Sequence, residues 1–162
     1  MTPTFDYLGL LQPPEKMVMT LEEFEQIFVH SFPNSQTREV ICENYRKFID
    51  DFSELVSPQF IHWINGSFVT QKINPRDIDF VMIIDYDKVE LNRKLIDERF
   101  RRQGARTHYD FLDVYLVEKY PLGHFDYPIF EFEKAKWTDW FTKTRVNRAG
   151  VKFPKGFIEI NF

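Results

Sequence analysis

The stretch that most limits how this chain folds runs from Phe60 to Ile84. Two apolar runs, 60–64 and 78–84, flank Asn65-Gly66-Ser67 and Pro75-Arg76-Asp77-Ile78-Asp79. Their length and their Phe, Trp, Ile and Val content mark both as central strands. Gly66 lacks the side chain that would hold a ligand off, so a Gly-Ser turn at a strand end brings backbone N–H groups close to a phosphate. Strand side chains alternate between faces. Asp77 and Asp79 therefore share one face, while Ile78 and Phe80 turn to the core. Two carboxylates about 5 Å apart repel by roughly 3 kcal/mol at an effective dielectric near 20, which a cation between them would relieve. Hard oxygen ligands beside a phosphate turn favour Mg²⁺ or Mn²⁺. The plainer alternative makes Asp77 a strand-entry turn residue and pairs Asp79 with a lysine.

The flanking segments supply helices to cover these strands. Residues 1–19, with Pro3, Pro13 and Pro14, read as an extended arm. Thr20-Leu-Glu-Glu23 is a capping box opening a helix with the stripe Leu21, Phe24, Ile27, Phe28. A second, longer helix, capped by Ser35 or Thr37, carries Ile41, Tyr45, Phe48, Ile49, Phe52 and Leu55 on one side. After Ser67, residues 68–70 read as a short helix with its N-terminus at the site. Asp87 and Glu90 suggest a capping box for a helix through Arg102, closed by Gly104.

The third strand, 112–117, places Leu112, Val114 and Leu116 on one face and Asp113, Tyr115 and Val117 on the other. That parity puts the Asp113 carboxylate on the side of Asp77 and Asp79. Asp110 competes for the role but precedes the regular alternation. A helix over 131–143 and a short strand over 157–160, expected at a sheet edge, complete the chain. The fold class is α/β of the α+β kind, a small mixed central sheet with helices packed on it, in one domain over 1–162. His62 and Cys42 lack neighbours at metal-ligand spacing and read as buried structural groups.

The composition supports a packed domain, with 43% hydrophobic residues and 18 Phe among 162 positions. The net charge of −4 excludes non-specific binding of long nucleic acid across a broad basic surface. Positive charge is nevertheless concentrated in residues 93–106 and 134–155, leaving room for a local phosphate-binding rim. No apolar run approaches the roughly 20 residues needed to cross a bilayer. The N-terminus has no signal-peptide pattern, and one cysteine cannot form an internal disulfide. A cytoplasmic location is the expectation.

Gly66-Ser67 followed by Asp77-Ile-Asp79 resembles the signature of the nucleotidyltransferase superfamily, whose palm-like fold is shared with DNA polymerase beta. The longer string Gly-Ser-Phe-Val-Thr-x-Lys-x-x-Pro-x-Asp-Ile-Asp is similar to a narrower group of small bacterial nucleotidyltransferase-like proteins. So are Leu21-x-x-Phe24, Trp137/Trp140-Phe141, Arg145 or Arg148, and Lys155-Gly-Phe-Ile-Glu-Ile160. The resemblance implies a minimal nucleotidyltransferase fold and a metal-dependent transfer of a nucleoside monophosphate from a nucleoside triphosphate to a hydroxyl acceptor. It implies Asp113 as the third carboxylate. Asp77 and Asp79 would bridge two cations roughly 3.5–4 Å apart, with Asp113 completing the acceptor-side one. Gly66 and Ser67 would hold the β- and γ-phosphates, and Lys72 or Arg76 would add charge at the leaving pyrophosphate.

The acceptor is left open between a protein, a tRNA end and a small molecule. Small members of the superfamily often resemble components of toxin–antitoxin or phage-defence pairs. The second reading is accordingly a binding module of this shape without turnover, acting through a partner protein. No membrane partner is expected.

Overall fold

The computed structural model describes residues 3–162. These residues form, in order, β1 (Thr4–Phe5), β2 (Leu11–Gln12), β3 (Lys16–Val18), α1 (Leu21–Glu25), α2 (Arg38–Leu55), β4 (Ile61–Asn65), β5 (Ile78–Asp85), α3 (Tyr86–Leu95), α4 (Arg102–His108), β6 (Leu112–Lys119), α5 (Tyr127–Phe141) and β7 (Phe157–Asn161). Wider, π-type turns extend α1 through Gln26–His30 and α3 through Ile96–Phe100. The main sheet has the order β3-β7-β4-β5-β6, with a separate β1-β2 hairpin. β3 runs parallel to β7, and β5 parallel to β6; β4 is antiparallel to both β5 and β7.

Alternation along the strands assigns the two faces. Ile64, Phe80, Met82, Val114 and Ile158 turn to the large core beneath α1 and α2, where Phe24, Phe28, Tyr45, Phe48 and Phe52 fill the layer. Several of the phenylalanines meet edge-to-face: Phe48 lies 5.2 Å from Phe80 at 79°, and Phe52 lies 4.9 Å from Phe60 at 75°. This geometry adds roughly 0.5–1.5 kcal/mol per pair beyond area burial. Trp63, Val81, Val117 and Phe157 turn to the opposite face and pack against Phe130, Trp137 and Phe141 of α5. The mixed sheet covered by helices on both faces is the expected class.

The capping box at Thr20 is present in both directions, Thr20 Oγ1 accepting from Glu23 N and Glu23 Oε2 from Thr20 N. For α2 the capping oxygen is that of Ser35, which accepts from the backbone N–H groups of Thr37 and Arg38. His62 is fully buried, its Nδ1 2.8 Å from the Tyr45 hydroxyl, and burial pushes its pKa down to about 3. It is a neutral core group, as is the buried Cys42 thiol, pushed up to about 12.

Several local expectations are corrected. The arm over 1–19 is, in its described part, a hairpin followed by an edge strand of the main sheet, because Met17 finds a pocket beside β7. Residues 68–70 are not helical. Thr70 closes a tight turn onto the Ser67 carbonyl through its N–H and its hydroxyl, and bridges to Leu10. The helix that follows β5, with its wider last turns, ends at Phe100, and a separate helix, α4, starts at Arg102; Asp87 makes no capping box. Gly104 lies inside α4 rather than closing a helix, and its lack of a side chain allows a close approach, since a Cβ there would stand 2.4 Å from the Glu98 carbonyl oxygen. The last strand is interior, between β3 and β4, because both its edges are hydrogen-bonded.

One buried cation ties these pieces together. Arg38, 1% exposed, donates from Nη1 to the carbonyls of Phe28 and Phe68 at 2.5 and 2.7 Å, and from Nη2 to those of Thr70 and Lys72 at 2.8 and 2.6 Å. Its guanidinium lies 3.8 Å from the Phe32 ring centroid, and burial lowers its pKa to about 10. Arg38→Met should cost about 3 kcal/mol or more, because it leaves buried carbonyls without donors. Arg38→Lys should recover only part, an ammonium lacking the planar fork. Urea denaturation at pH 7 reads both; a loss below about 1 kcal/mol for Arg38→Met would show that the clamp does not hold the loop.

Candidate functional site

The site lies at the end of the sheet where β4 stops, β5 starts and β6 starts. Asn65 of β4, Asp79 of β5 and Asp113 of β6 are direct cross-strand partners in one row. Neighbouring strands are about 4.8 Å apart, so the three side chains rise side by side. They rise on the α5 face, in the same parity as Val81 and Val117. Phe111, at φ 65°, turns the chain into β6 so that its carbonyl receives the Ile78 N–H at 2.9 Å. That turn sets the register placing Asp113 beside Asp79.

Gly66 is required where it stands. Its φ of 77° is left-handed, and a Cβ would come 1.9 Å from Asp79 Oδ2. The Gly-Ser turn and the second aspartate of Asp-x-Asp are thus packed against each other. Asp79 is partly buried, and its carboxyl is pushed up to about 6, first by burial and then by the charges of Asp77 and Asp113. Arg145 and Lys155 oppose that rise from across the cleft. No side-chain ion pair to Asp79 forms among the described residues. Asn65 Oδ1, buried in the same row, likewise has no hydrogen-bond partner.

Asp113 has different surroundings. Arg102 Nε and Arg106 Nη2 each donate to its Oδ1 at 3.0 Å, and the Tyr115 hydroxyl donates to Oδ2 at 3.2 Å. Both arginines come from α4. Asp110 lies exposed in the turn before β6, its N–H bonded to Asn44 Oδ1. Asp77 stands just before β5 and borders both the main cleft and a shallower depression shared with Arg76, Arg106 and Asp113.

The main cleft has two lobes that share Gly66, Asp79, Thr144, Arg145 and Lys155. One lobe adds Ser67, Thr70 and Asp77. The other, about 240 Å³, adds Tyr115 and the aromatic residues of α5. In the sequence Lys155 belongs to the basic 134–155 segment, and Lys72 and Arg76 rather than Lys155 are the expected phosphate cations. Lys155 is 5% exposed, and among the described residues its one side-chain hydrogen bond goes to the Gly66 carbonyl at 3.3 Å. Burial lowers its pKa to about 8. Arg145 lines both lobes and makes no ion pair among the described residues. The structure therefore brings Gly66, Ser67, Asp77 and Asp79 together at one cleft. Lys72 is exposed outside its lining and Arg76 borders the neighbouring depression. The signal for Lys155 lay in its position, a lysine directly before Gly156 and the last strand, which carries it to the sheet end where the Gly-Ser turn sits.

A family model, described as a family of unknown function (DUF6932), matches residues 3–161. The chain belongs to this family. No curated protein and no solved structure matches it.

The donor set fits a hard divalent cation. Asp79 lines both lobes, with Asp77 beside it in one and Asn65, whose Oδ1 is buried and unpartnered among the described residues, in the other, and these oxygen donors suit such an ion. Among the described residues no cluster of three or more acidic, His or Cys side chains is already gathered as a ligand shell. Asp113, the third carboxylate, is instead held by its arginines.

A raised carboxylate predicts the sign of a pH effect. Between the unfolded value near 4 and the folded value near 6 the native state holds the extra proton, so stability falls as pH rises through that window. Asp79→Asn should therefore stabilise the ligand-free protein at pH 7, by about 1–3 kcal/mol. The gain should shrink towards zero as pH falls to 4. Denaturation midpoints at pH 4 and 7 test this; an Asn variant less stable at pH 7 would mean that Asp79 is satisfied by a partner.

Proposed function

We propose that this chain is a metal-dependent nucleotidyltransferase, moving a nucleoside monophosphate from a nucleoside triphosphate to a hydroxyl acceptor. The observation that carries the reading is the division of charge in the cleft. Among the described residues, Asp77 and Asp79 on one side and Lys155 and Arg145 on the other form no close ion pair, and Arg145 and Lys155 act on Asp79 only through space. A metal–polyphosphate pair supplies both missing charges at once, whereas a bare cation or a bare anion supplies one.

In the reaction, the acceptor oxygen bonds to the α-phosphorus as the bond from that phosphorus to the bridging oxygen breaks. Pyrophosphate leaves, and the hydroxyl proton passes to a carboxylate. Mg²⁺ or Mn²⁺ would supply charge neutralisation on the phosphorus oxygens and a lowered acceptor pKa. Asp77 and Asp79, with Asn65, would hold it. The Gly66-Ser67 turn, kept in place through Arg38, presents the backbone to the β- and γ-phosphates. Lys155 and Arg145 take over the role first given to Lys72 and Arg76, stabilising the leaving pyrophosphate. Asp113 serves as proton acceptor beside Asp79 once Arg102 and Arg106 move to the incoming phosphates. The acceptor is a protein, a tRNA end or a small molecule. A toxin–antitoxin or phage-defence setting and a cytoplasmic location accompany the proposal.

The second reading, a binding module without turnover that acts through a partner protein, draws on one observation. Asp113 already has two guanidinium partners and a hydroxyl on its oxygens. If α4 never releases it, the acceptor side lacks a base.

Label from an α-³²P nucleoside triphosphate should pass to an acceptor in a Mg²⁺-dependent way, and Asp79→Asn or Asp77→Asn should lower the rate at least 100-fold. Lys155→Met should weaken nucleotide binding about tenfold, the loss of one charged hydrogen-bond donor. Equal behaviour of wild type and the double Asn variant with all four nucleotides would eliminate the enzyme. Tight nucleotide uptake without transfer, unchanged by freeing Asp113 through Arg102→Ala and Arg106→Ala, would select the binding module.

A further inference from the structure

α5 presents its aromatic residues in two different ways. Trp137 and Phe141, each 6% exposed, pack onto the sheet beside Tyr115 and Phe157. Trp140 lines the same lobe of the cleft yet is 56% exposed, its ring 5.3 Å from that of Trp137. Packing explains the first two and leaves the third without a structural task. The Trp140 surface is continuous with the phosphate side, since the two lobes share Asp79, Arg145 and Lys155.

The opposite wall comes from the basic loop after α5. The loop is fastened by a bridge between Lys143 and Pro154 and by hydrogen bonds between Thr144 and Phe153, at 2.8 Å from Thr144 N and 2.9 Å to Thr144 Oγ1. It brings Lys152 and Arg145 to the lobe that Trp140 borders. A flat aromatic surface beside cations, opening from a lobe lined by a buried lysine, suits a ligand that is a π-system at one end and a polyanion at the other.

We infer that Trp140 is the stacking platform for the base of the bound nucleoside triphosphate, the aromatic lobe taking the base while Ser67, Arg145 and Lys155 take the phosphates. The inference rests on the nucleotide reading above and deepens it. Stacking on an exposed ring reads any base by its face, so the lobe accepts all four, favouring the larger purines.

Isothermal titration with Mg²⁺ tests it, using ATP, GTP, CTP, UTP and inorganic tripolyphosphate as probes. Wild type should bind ATP more tightly than tripolyphosphate. Trp140→Ala should weaken ATP by about 5- to 100-fold and leave tripolyphosphate unchanged. Trp140→Phe should keep most of the ATP affinity. Unchanged tripolyphosphate binding also reports that the Ala variant is folded. If ATP binds wild type and Trp140→Ala alike, or no better than tripolyphosphate, the platform is overturned while the phosphate site stands. An equal loss of ATP and tripolyphosphate in Trp140→Ala, with Trp140→Phe failing alike, would assign Trp140 a structural role and overturn it too. If no probe binds wild type, the nucleotide reading falls, and this inference with it.

Discussion

A guanidinium that has no carboxylate partner among the described residues holds the cleft end of this structure together. Arg38 sits at the start of α2, yet its four hydrogen bonds reach the turn after α1 and three carbonyls of the loop that follows the Gly-Ser turn. Loops carry backbone groups that a core cannot leave unpaired. Here one planar side chain supplies donors to four of them, which lets Phe68 and Val69 be fully buried although they lie outside any helix or strand. Phe68 stacks on Phe24 at 16°, so the turn bearing Gly66 and Ser67 is anchored on its C-terminal side by a cation and an aromatic layer. The N-terminal side is anchored by β4. The glycine–serine bend is consequently held on both sides although it is irregular, which on the proposed reading suits a preorganised anion site.

That rigidity brings Gly66 against Asp79. A fold selected for stability alone would disperse the carboxylates of Asp77, Asp79 and Asp113 or give each a cation. Of these three, only Asp113 forms ion pairs among the described residues. The Asp79 carboxylate without an ion pair, the Asn65 amide oxygen without a hydrogen bond among these residues and a lysine buried beside a carbonyl are all local costs, and all three meet within one cleft. Concentrated strain of this kind is typical of sites that bind and react.

The sheet, its covering helices and the carboxylate faces were legible in the sequence because each is a matter of period. Alternation assigned Ile78, Phe80 and Val114 to one side and Asp79 and Asp113 to the other, and the capping box at Thr20 marked a helix start. What could not be read depends on long-range packing. The strand character of 16–18 exists only because β7 offers an edge, and β7 is interior only because β3 covers it. Arg38 looks like any polar residue in the first turn of a helix, with nothing local to show that distant carbonyls need it. Lys155 and Arg145 reach the cleft through a loop that leaves α5 and returns to the sheet, so linear proximity favoured Lys72 and Arg76 instead. The turn at 68–70 carries helix-compatible residues, and the Thr70 hydroxyl bonded to Ser67 O diverts it.

Asp79 and Asp113 occupy equivalent positions on adjacent parallel strands and differ by what α4 places beside them. A close approach at Gly104 seats α4 against the preceding turn, and from there Arg102 and Arg106 both reach Asp113. On the proposed reading this pairing depends on what fills the cleft. A cation held by Asp77 and Asp79 would supply positive charge beside Asp113, and Arg102 and Arg106 would then be able to turn to phosphate oxygens, leaving the Asp113 carboxylate able to accept a proton. The chain would then spend its ligand-free time with the acceptor-side carboxylate neutralised, which limits the cost of keeping three acidic groups at one end of a sheet.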